Sequence, residues 1–525
     1  ILDYSAVEEV PSLDCSVAKD APLVEDMSFK AFLAYKQEYG VKTPILQSED
    51  ISLTWQDIEI GSQIIAEDLS KLGVKRGSHV AIGGRNSLNW VLTFFAIQKL
   101  GAIAMLMNFN LTIDEIIRMS HSADITHLCY GKMNAITDEE QFKTTVTGED
   151  SFIDHMYDIG NHIDFFARRN EYEVIKDKHR SKVEADDVAV MIFTSGSTGN
   201  PKGVMITHKN LSGNIDFACK KIPHRPGDKV MSMLPIAHMF GLMFEFLYQV
   251  CDGAEVYFLT KAPTPTTLMK AFAQVHPFMI LTVPLVIEKI IKGKVLPIIN
   301  KPVMKVLWNT PGIKNLLHKK VSNTLLQAFG GNLRFLIIGG AALNEEVEKC
   351  MHDMHFPYCV GYGMTECAPL ITYENWKKYL YRSCGKGIVG MELRIDSEDP
   401  AKKEGELQVH GVNVMMGYYK NEQATKETFT EDGWMRTGDL GIIDKHGNLF
   451  LRGRSKNMLL GPSGQNIYPE EIEDKLNSLP LVLESVVVQR EQKLVALVFP
   501  DTTPAGQKIL AGRNIFDFME VNDDQ

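Results

Sequence analysis

The sequence predicts an α/β protein: a large N-terminal domain of βα-layered sheets plus a compact β subdomain, followed by a small mobile α+β C-terminal domain. Three observations support this class. The chain has 525 residues, more than one hydrophobic core usually supports, so at least two domains are expected. Its composition, with 45% apolar and 23% charged residues, is typical of globular proteins. Short β-branched runs are repeatedly followed by glycine and then by a helical pattern, which indicates βα units.

Two such units illustrate the large domain. The run HVAIGG (79–84) precedes the helical pattern SLNWVLTFFAIQKLGA (87–102), and RFLIIGGAAL (334–343) precedes NEEVEKCMHDM (344–354). Alternation of this kind predicts a largely parallel sheet. Ligands of such sheets gather at the loops beyond the carboxyl ends of the strands. The loop from Thr194 to Gly203 follows an apolar, strand-like run and is expected to be one of them.

The pattern changes towards the C-terminus. GELQVHG (405–411), GYYKN (417–421) and GWMRTGDLGIIDKHGNLFLRGR (433–454) predict short strands with tight turns, hence a compact β subdomain. Beyond it, PEEIEDKLNSL predicts a helix, and SVVVQR and LVALVFP predict strands of a separate small module. We therefore expect a large domain over residues 1–453 and a small C-terminal lid domain over residues 454–525.

Charge and cysteine usage exclude some classes of protein. The net charge of −11 argues against nucleic-acid binding, which needs a basic surface. Eight cysteines without a CxxC pair indicate reduced thiols and a cytoplasmic setting. The acidic start ILDYSAVEEVPSLDC lacks a basic n-region, so no secretory signal is predicted. The longest apolar runs, such as Val91–Ile97, are far shorter than the ~20 residues of a membrane span.

The loop from Thr194 to Gly203 has the composition of an anion-binding site. It contains three glycines, five hydroxyl or amide side chains and one lysine. Consecutive glycine, serine and threonine residues let backbone N–H groups face one concavity, where they hold phosphate oxygens. The spacing is not GxxxxGK[ST], and Gly339-Gly340-Ala341-Ala342 is not GxGxxG. An ordinary surface turn is the alternative for a loop of this composition.

Five motifs in order identify the family that the chain resembles. They are TSGSTGNPKG (194–203), LPIAHMFG (234–241), GYGMTE (361–366), WMRTGDLG (434–441) and LRGRSKNMLLGPSGQNIYPEEIE (451–473). Together they resemble the signatures of the adenylate-forming superfamily, which contains acyl-CoA synthetases, beetle luciferases and peptide-synthetase adenylation domains. The similarity runs from roughly Leu53 to Phe499. It implies that a carboxylate attacks the α-phosphorus of ATP and expels pyrophosphate, giving an acyl-adenylate.

The resemblance also implies a role for individual residues. The glycine loop would hold the β- and γ-phosphates of ATP through Thr194, Ser195, Gly196, Ser197, Thr198, Gly199 and Lys202. Tyr362, followed by Gly363, would stack on adenine, and Thr365 would bind the α-phosphate. Glu366 would hold Mg²⁺, a hard cation that prefers oxygen ligands.

Four further segments complete the expected site. Asp439 would accept both ribose hydroxyls, because a carboxylate offers two acceptor oxygens, and Arg454 would also reach the ribose. Gly340 and Ala341 would form a backbone wall beside adenine and the acyl carboxylate. His238 matches a pocket histidine of the family, at the point where the carboxylate enters.

Thioester formation is expected to use the small domain. Lys456 lies at the hinge about which the family's small domain rotates between adenylation and thioester formation. Gly464 would line the route of the pantetheine thiol. The resemblance thus implies ATP, Mg²⁺ and CoA as cofactors and substrates.

The segment from Val283 to Gly340 bears on the acyl group. It resembles the helical elaboration of the long-chain branch of the fatty acyl-CoA synthetases, which favours a medium- or long-chain fatty acid. Eight lysines and no acid lie between Lys289 and Lys320, interleaved with apolar residues. Such a stretch fits peripheral contact with an anionic inner membrane face, and equally a solvated helical face.

The chain departs from the family at its C-terminus. Members end with a catalytic lysine about ninety residues beyond the hinge, whereas about seventy follow it here. TTPAGQKILAG, with Lys508, mimics that motif but comes too early, so we expect a surface loop there and an incomplete C-terminal domain. A non-catalytic nucleotide- or acyl-binding homologue, or an enzyme that activates another carboxylate, is therefore an alternative.

A metal site of a different class is also possible on spacing alone. Cys350, His352, His355 and Cys359 form CxHxxHxxxC, which offers nitrogen and sulfur ligands for zinc. On a helix, however, Cys350 and His352 point to different faces. An amphipathic helix end leading into a strand explains them better.

Overall fold

The computed structural model describes most of the chain. The described residues are 44–48, 51–160, 167–179, 181–194, 201–225, 227–261, 263–455, 457, 459–460, 466–467, 469–477, 479, 482–490 and 493–500.

Strands of the first half of the chain, in order, are β1 Pro44–Ser48, β2 Ile51–Thr54, β3 His79–Gly83, β4 Ile103–Met107, β5 His127–Tyr130, β6 His155–Asp158, β7 Val188–Thr194, β8 Lys202–Thr207, β9 Lys229–Ser232, β10 Glu255–Phe258, β11 Met279–Thr282, β12 Phe335–Ile338 and β13 Tyr358–Val360. The later strands are β14 Tyr362–Gly363, β15 Leu370–Tyr373, β16 Lys386–Gly387, β17 Met391–Asp396, β18 Gly405–Gly411, β19 Gly417–Tyr418, β20 Met435–Ile443, β21 Leu449–Arg454, β22 Leu459–Leu460, β23 Asn466–Ile467, β24 Val482–Arg490 and β25 Lys493–Pro500.

The α-helices are α1 Trp55–Lys71, α2 Leu88–Lys99, α3 Ile113–Ser122, α4 Glu139–Val146, α5 Arg169–Ile175, α6 His208–Lys221, α7 Tyr248–Asp252, α8 Pro265–Val275, α9 Pro284–Ile290, α10 Leu296–Ile299, α11 Pro302–Asn309, α12 Lys314–Ala328, α13 Glu345–Asp353, α14 Glu422–Thr428 and α15 Pro469–Asn477. Two π-helical segments, Gly241–Leu247 and Ile291–Val295, precede α7 and α10, and a 3₁₀ turn spans Thr365–Cys367.

Two seven-stranded sheets form the large domain, as the βα pattern predicts. The first has the order β13-β12-β11-β9-β10-β1-β2, and only its β1/β2 pair is antiparallel. The second has the order β19-β8-β7-β4-β3-β5-β6, in which β7, β4, β3, β5 and β6 are parallel and β8 and β19 are antiparallel to their neighbours. The α/β class is therefore confirmed.

Helix α2 shows how the sheets share one core. Ser87 caps it by accepting the N–H of Trp90 at 3.2 Å. Almost every residue of the helix is buried, which is the expected position for a helix that is apolar on all sides. The rings of Phe94 and Phe95 contact Phe246 from the π-helical segment, with centroids 6.1 and 5.5 Å apart. One apolar cluster therefore joins the two sheets, and a second cluster, which includes Ala81, Met105 and Leu128, packs separately against the second sheet.

The β subdomain differs from the sequence-based expectation in one strand. A four-stranded sheet, β17-β18-β20-β21, contains two of the three predicted segments. The third segment, GYYKN, instead supplies β19, which pairs with β8 at the edge of the second large sheet. The backbone N–H and C=O groups on the open edge of β8 need hydrogen-bond partners, and β19 provides them. The expectation that GYYKN belongs to the β subdomain was wrong.

The predicted helix and strands of the small C-terminal module are present as α15, β24 and β25, with β24 and β25 paired as a hairpin. Lys508 and its segment lie outside the described residues. In the part of the chain that the structure describes, no helix is long and apolar enough to cross a membrane.

Candidate active site

The glycine loop connects two antiparallel strands. Thr194 ends β7 and pairs in register with Lys202 at the start of β8. The helix that follows the loop, α6, begins only at His208, where Thr207 accepts the N–H of Asn210 at 3.2 Å. The ends of the loop are therefore fixed at the carboxyl end of β7. The predicted phosphate-binding residues between them, Ser195, Gly196, Ser197, Thr198 and Gly199, lie outside the described residues.

Lys202 is linked to Glu366 through one tyrosine. Its ammonium lies over the ring of Tyr418, with 4.9 Å between Nζ and the ring centroid. The Tyr418 hydroxyl donates a hydrogen bond to Glu366 Oε1 at 2.9 Å. Burial, together with the nearby Glu366 carboxylate, raises the pKa of Tyr418, so its hydroxyl stays protonated and remains a donor. Tyr418 occupies this position because β19 pairs with β8.

The turn that carries Thr365 and Glu366 is held rigidly. The backbone carbonyl of Glu366 accepts the N–H of Met415 at 2.8 Å. Asn214 on α6 accepts the N–H of Leu370 at 3.1 Å, just beyond the turn. The Glu366 side chain is buried, and Thr365 beside it is half-buried. A buried carboxylate next to a hydroxyl is a set of hard oxygen donors, which is the chemistry that Mg²⁺ requires.

Tyr362, Asp439 and Arg454 form a second connected group. The Tyr362 hydroxyl donates a hydrogen bond to Asp439 Oδ2. Arg454 lies opposite Asp439 in the β20/β21 pair, and its Nε is 3.2 Å from Asp439 Oδ1. Asp439 is 7% exposed, whereas the Arg454 side chain is 65% exposed. Each carboxylate oxygen has two acceptor positions, so one carboxylate can accept from several donors at once.

Burial and the Asp439 charge raise the pKa of Tyr362 well above its usual value. Tyr362 therefore remains a neutral donor, and its bond to Asp439 fixes the position of its ring. Gly363, the next residue, permits a close approach of two chain segments: a Cβ at this position would lie 2.1 Å from the Pro369 carbonyl oxygen. Any larger residue would displace the turn that leads to Thr365.

Gly340 and Ala341 follow β12 at its carboxyl end. Gly340 has a φ of 92°, which favours glycine. Both residues are exposed, and α13 begins after them with Asn344 as its N-cap. Their backbone groups are therefore accessible at the same edge of the first sheet as the start of β14.

His238 contacts a residue from a different βα unit. Asn108, which follows β4, donates from Nδ2 to His238 Nε2 at 2.8 Å, so the neutral ring carries its proton on Nδ1. The side chain is exposed to solvent, yet the surrounding protein removes much of its hydration and lowers its pKa. At neutral pH the ring is therefore uncharged.

Two residues that the sequence analysis missed hold the loop of His238. Asn86 donates to the Leu234 carbonyl at 2.7 Å and accepts the N–H of Ile236 at 3.0 Å. The Glu245 carboxylate accepts the N–H groups of Met233 and Leu234, both at 2.8 Å. Glu245 is fully buried, and this burial raises its pKa well above the usual value. A single acid inside the apolar run GLMFEFL is the sequence signal that points to it.

The last predicted positions are the hinge lysine, the thiol-route glycine and the cysteine–histidine cluster. Lys456 and Gly464 lie outside the described residues. Among the described residues there is no group of three or more potential metal ligands of the His, Cys, Asp and Glu types, so Cys350, His352, His355 and Cys359 do not form a zinc site. Burial instead raises the pKa of the Cys350 thiol to about 12, as expected of a packing residue.

Comparisons with known proteins bear on the family of the chain. The family model described as "AMP-binding enzyme" matches residues 34–419. The chain is 25% identical over 598 residues to the long-chain-fatty-acid–[acyl-carrier-protein] ligase AEE15 of Arabidopsis thaliana, covering 94% of this chain and 81% of that protein. It is 28% identical over 507 residues to the long-chain-fatty-acid–CoA ligase FadD15 of Mycobacterium tuberculosis, covering 87% and 79%.

Other similar proteins act on different acids. The 2-succinylbenzoate–CoA ligase of Bacillus cytotoxicus is 28% identical over 434 residues, covering 82% of this chain and 79% of that protein. Among solved structures, o-succinylbenzoate CoA synthetase of Bacillus subtilis in complex with ATP and magnesium ion matches with a TM-score of 0.71 and 22% identity, covering 91% of this chain and 90% of that one. The structural similarity supports the same fold.

Proposed function

We propose that this chain, which belongs to the AMP-binding enzyme family, activates a medium- or long-chain fatty acid with ATP and transfers the acyl group to CoA. In the first step a carboxylate oxygen attacks the α-phosphorus, and the bond to the β-phosphate breaks to release pyrophosphate. In the second step the thiol attacks the acyl carbonyl, AMP leaves, and the thiol proton passes to solvent. Positioning and charge neutralisation are the main requirements for such chemistry.

One observation carries the proposal: residues far apart in the sequence meet in two linked groups. Lys202, Tyr418 and Glu366 form one group, and Tyr362, Asp439 and Arg454 form the other. The groups are joined because Tyr362 and Glu366 lie in one short segment, GYGMTE. A bound nucleotide needs a cation for phosphate, an oxygen ligand for a metal, an aromatic ring for the base and an acceptor for the ribose hydroxyls. Lys202, Glu366, Tyr362 and Asp439 bring these groups to one region.

Each side chain takes a role that suits its chemistry. Lys202 and the glycine loop bind the β- and γ-phosphates, and Thr365 binds the α-phosphate. Tyr362 stacks on adenine, while Asp439 and Arg454 bind the ribose. Mg²⁺, when bound, neutralises phosphate charge. Glu366 is its ligand, and Tyr418 orients that carboxylate.

The acyl side of the site uses His238 and the backbone after β12. A neutral imidazole donates its Nδ1–H to a carboxylate oxygen without holding it by a full charge, so His238 positions the nucleophile. Lys456 acts as the hinge between a large domain of residues 1–453 and a lid of residues 454–525, and Gly464 lines the thiol route. The preference for a fatty acid is supported by the two fatty-acid ligases among the similar proteins and by the helical segment between Val283 and Gly340.

Acid-dependent exchange of pyrophosphate into ATP tests the proposal. The full-length protein is assayed with hexadecanoate, 2-succinylbenzoate and 4-coumarate, with and without CoA. We expect the fastest exchange with hexadecanoate and hexadecanoyl-CoA formation when CoA is present. Lys202→Ala should slow exchange, whereas Lys209→Ala, which removes an exposed lysine at the start of α6, should not.

Two outcomes would contradict the proposal. Faster exchange with one of the aromatic acids would contradict the fatty-acid preference. ATP binding without exchange, for every acid, would instead support a non-catalytic binding protein.

A further inference from the structure

Helices α11 and α12, together with Ile298 of α10 and Ile313 just before α12, present an exposed face that combines lysines with large aliphatic side chains. We call it the basic–apolar face and define its apolar part as Ile298, Val303, Val306, Ile313 and Leu316. All five are exposed, with Val303, Val306 and Leu316 at 71%, 67% and 73%. Exposed apolar residues that cluster in this way mark an interaction surface more often than scattered ones do.

The orientation of α12 follows from its burial pattern. Ser322, Leu325 and Leu326 are buried and face the domain. Leu316, Lys319, Lys320, Asn323, Thr324 and Gln327 recur at helical spacing on the opposite side and are arranged along three turns. Those six residues form an open, shallow surface on the outside of the helix. One side of α12 thus anchors the helix, while the other offers an apolar residue, two ammonium groups and neutral polar groups.

Helix α11 is oriented in the same manner. Trp308 is buried, and its ring lies 4.0 Å from the His318 ring of α12, which ties the two helices together. Val303 and Val306 are on the exposed side, and Lys305 is exposed between them. Aliphatic side chains and lysines therefore alternate along both helices.

The charge of the face is opposite to that of the whole chain. The chain carries a net charge of −11, yet residues 289–344 contain eight lysines and no aspartate or glutamate. Seven of these lysines are exposed, and the eighth, Lys292, donates to the Asn477 carbonyl in the C-terminal module at 2.9 Å. In the described part of the chain none of the eight forms an ion pair. Their charges are thus available to an external anion.

We propose that the basic–apolar face docks on an anionic phospholipid bilayer. The aliphatic side chains enter the headgroup region, and lipid phosphates lie beside Lys319 and Lys320. Neither helix is long enough to span a bilayer, so both lie in the interface plane. An acidic protein would be attracted by the same lysines, but the five exposed aliphatic residues favour a surface with an apolar interior.

Vesicle flotation with the full-length protein tests this docking. We expect binding to vesicles that contain phosphatidylglycerol and much weaker binding to phosphatidylcholine alone. Replacing Lys314, Lys319 and Lys320 by glutamine should reduce the partition coefficient about 100-fold, since each lysine near an anionic surface contributes about fivefold. The control replaces Lys377, Lys378 and Lys445 by glutamine, which changes the net charge by the same amount. It should retain binding because these exposed lysines lie outside the basic–apolar face.

A second variant tests the apolar contribution. Val303→Ser, Val306→Ser and Leu316→Ser together should also reduce binding to anionic vesicles, whereas Val174→Ser and Val389→Ser, which alter exposed valines elsewhere, should not. These positions are exposed, so circular dichroism should report unchanged folding. Equal losses for the face and control variants would overturn the proposal. So would failure of the unmodified protein to bind anionic vesicles, or loss with the lysine variant alone, which would show that the aliphatic side chains do not enter the headgroup region.

Discussion

The substitution Tyr418→Phe distinguishes the contribution of the Tyr418 hydroxyl from that of its ring. The substitution keeps the ring under the Lys202 ammonium, where Nζ is 4.9 Å from the centroid. It removes the 2.9 Å hydrogen bond to Glu366 Oε1. Because Glu366 is buried, water does not readily replace the lost donor.

The expected loss of Mg·ATP affinity follows from the strength of the hydrogen bond that is removed. A hydrogen bond to a charged group contributes about 1.5–3 kcal/mol. If Glu366 holds Mg²⁺, loss of its orientation should weaken binding of Mg·ATP by about 10- to 100-fold. Binding of ATP without the metal should change little, since the ring, Asp439 and Tyr362 are untouched.

Isothermal titration with ATP, in Mg²⁺ and in excess chelator, measures both quantities. The adjacent Tyr419→Phe is a matched control: its hydroxyl also bonds a carboxylate, Asp124 Oδ2 at 2.6 Å, but outside the site. Unfolding temperatures of both variants should lie well above the assay temperature. An equal loss of affinity with and without Mg²⁺, or an equal loss in Tyr419→Phe, would refute the assigned role of Tyr418.

Three further substitutions test other contacts. Asp439→Asn should weaken ATP binding about 10-fold or more, because one charged acceptor and the Arg454 ion pair are lost, whereas the turn variant Asp444→Asn should bind as the unmodified protein does; titration with ATP compares them. The lowered pKa of His238 predicts a neutral ring at pH 7 and a cation only as the pH falls below about 6.5. The KM for a soluble medium-chain acid should therefore decrease as the pH is lowered below about 6.5. If the KM of His238→Gln showed the same pH dependence, protonation of His238 would be excluded as its cause. The raised pKa of Glu245 means that the folded state favours its neutral form, so its contribution to stability is full at low pH and is lost as the pH rises above the unfolded value of 4.5. Glu245→Gln should reduce the decrease in the free energy of unfolding that occurs as the pH rises above 4.5, measured by urea denaturation, and an unchanged slope would contradict a buried, titrating carboxyl group at this position.

The sequence predicted the layers of the fold because strand, glycine and helix signals are local. Helix α2 illustrates this, since both its cap at Ser87 and its apolar run are adjacent in the chain. The partner of a strand is not a local property. The two-residue strand β19 reads like its neighbours in the β subdomain, yet it pairs with β8, more than two hundred residues earlier. Tyr418 therefore escaped the sequence analysis although it contacts two residues that the motifs had indicated.

Polar residues that support the site were missed for the same reason. Asn108 and His238 are separated by 130 positions, and only the fold shows that they meet. Asn86 likewise reaches Leu234 across 148 positions. Motif residues are recognised by their spacing, whereas the residues that hold them are single polar side chains in apolar surroundings. Glu245 alone carried a local signal, as an acid in an apolar run.

A crystal structure with Mg²⁺, a non-hydrolysable ATP analogue and hexadecanoate addresses the central claim most directly. We expect adenine against the Tyr362 ring, the ribose hydroxyls on Asp439, and the metal on Glu366 with Tyr418 still bonded to that carboxylate. The triphosphate should extend towards Lys202. A nucleotide bound away from these side chains, or a metal with no contact to Glu366, would contradict the account.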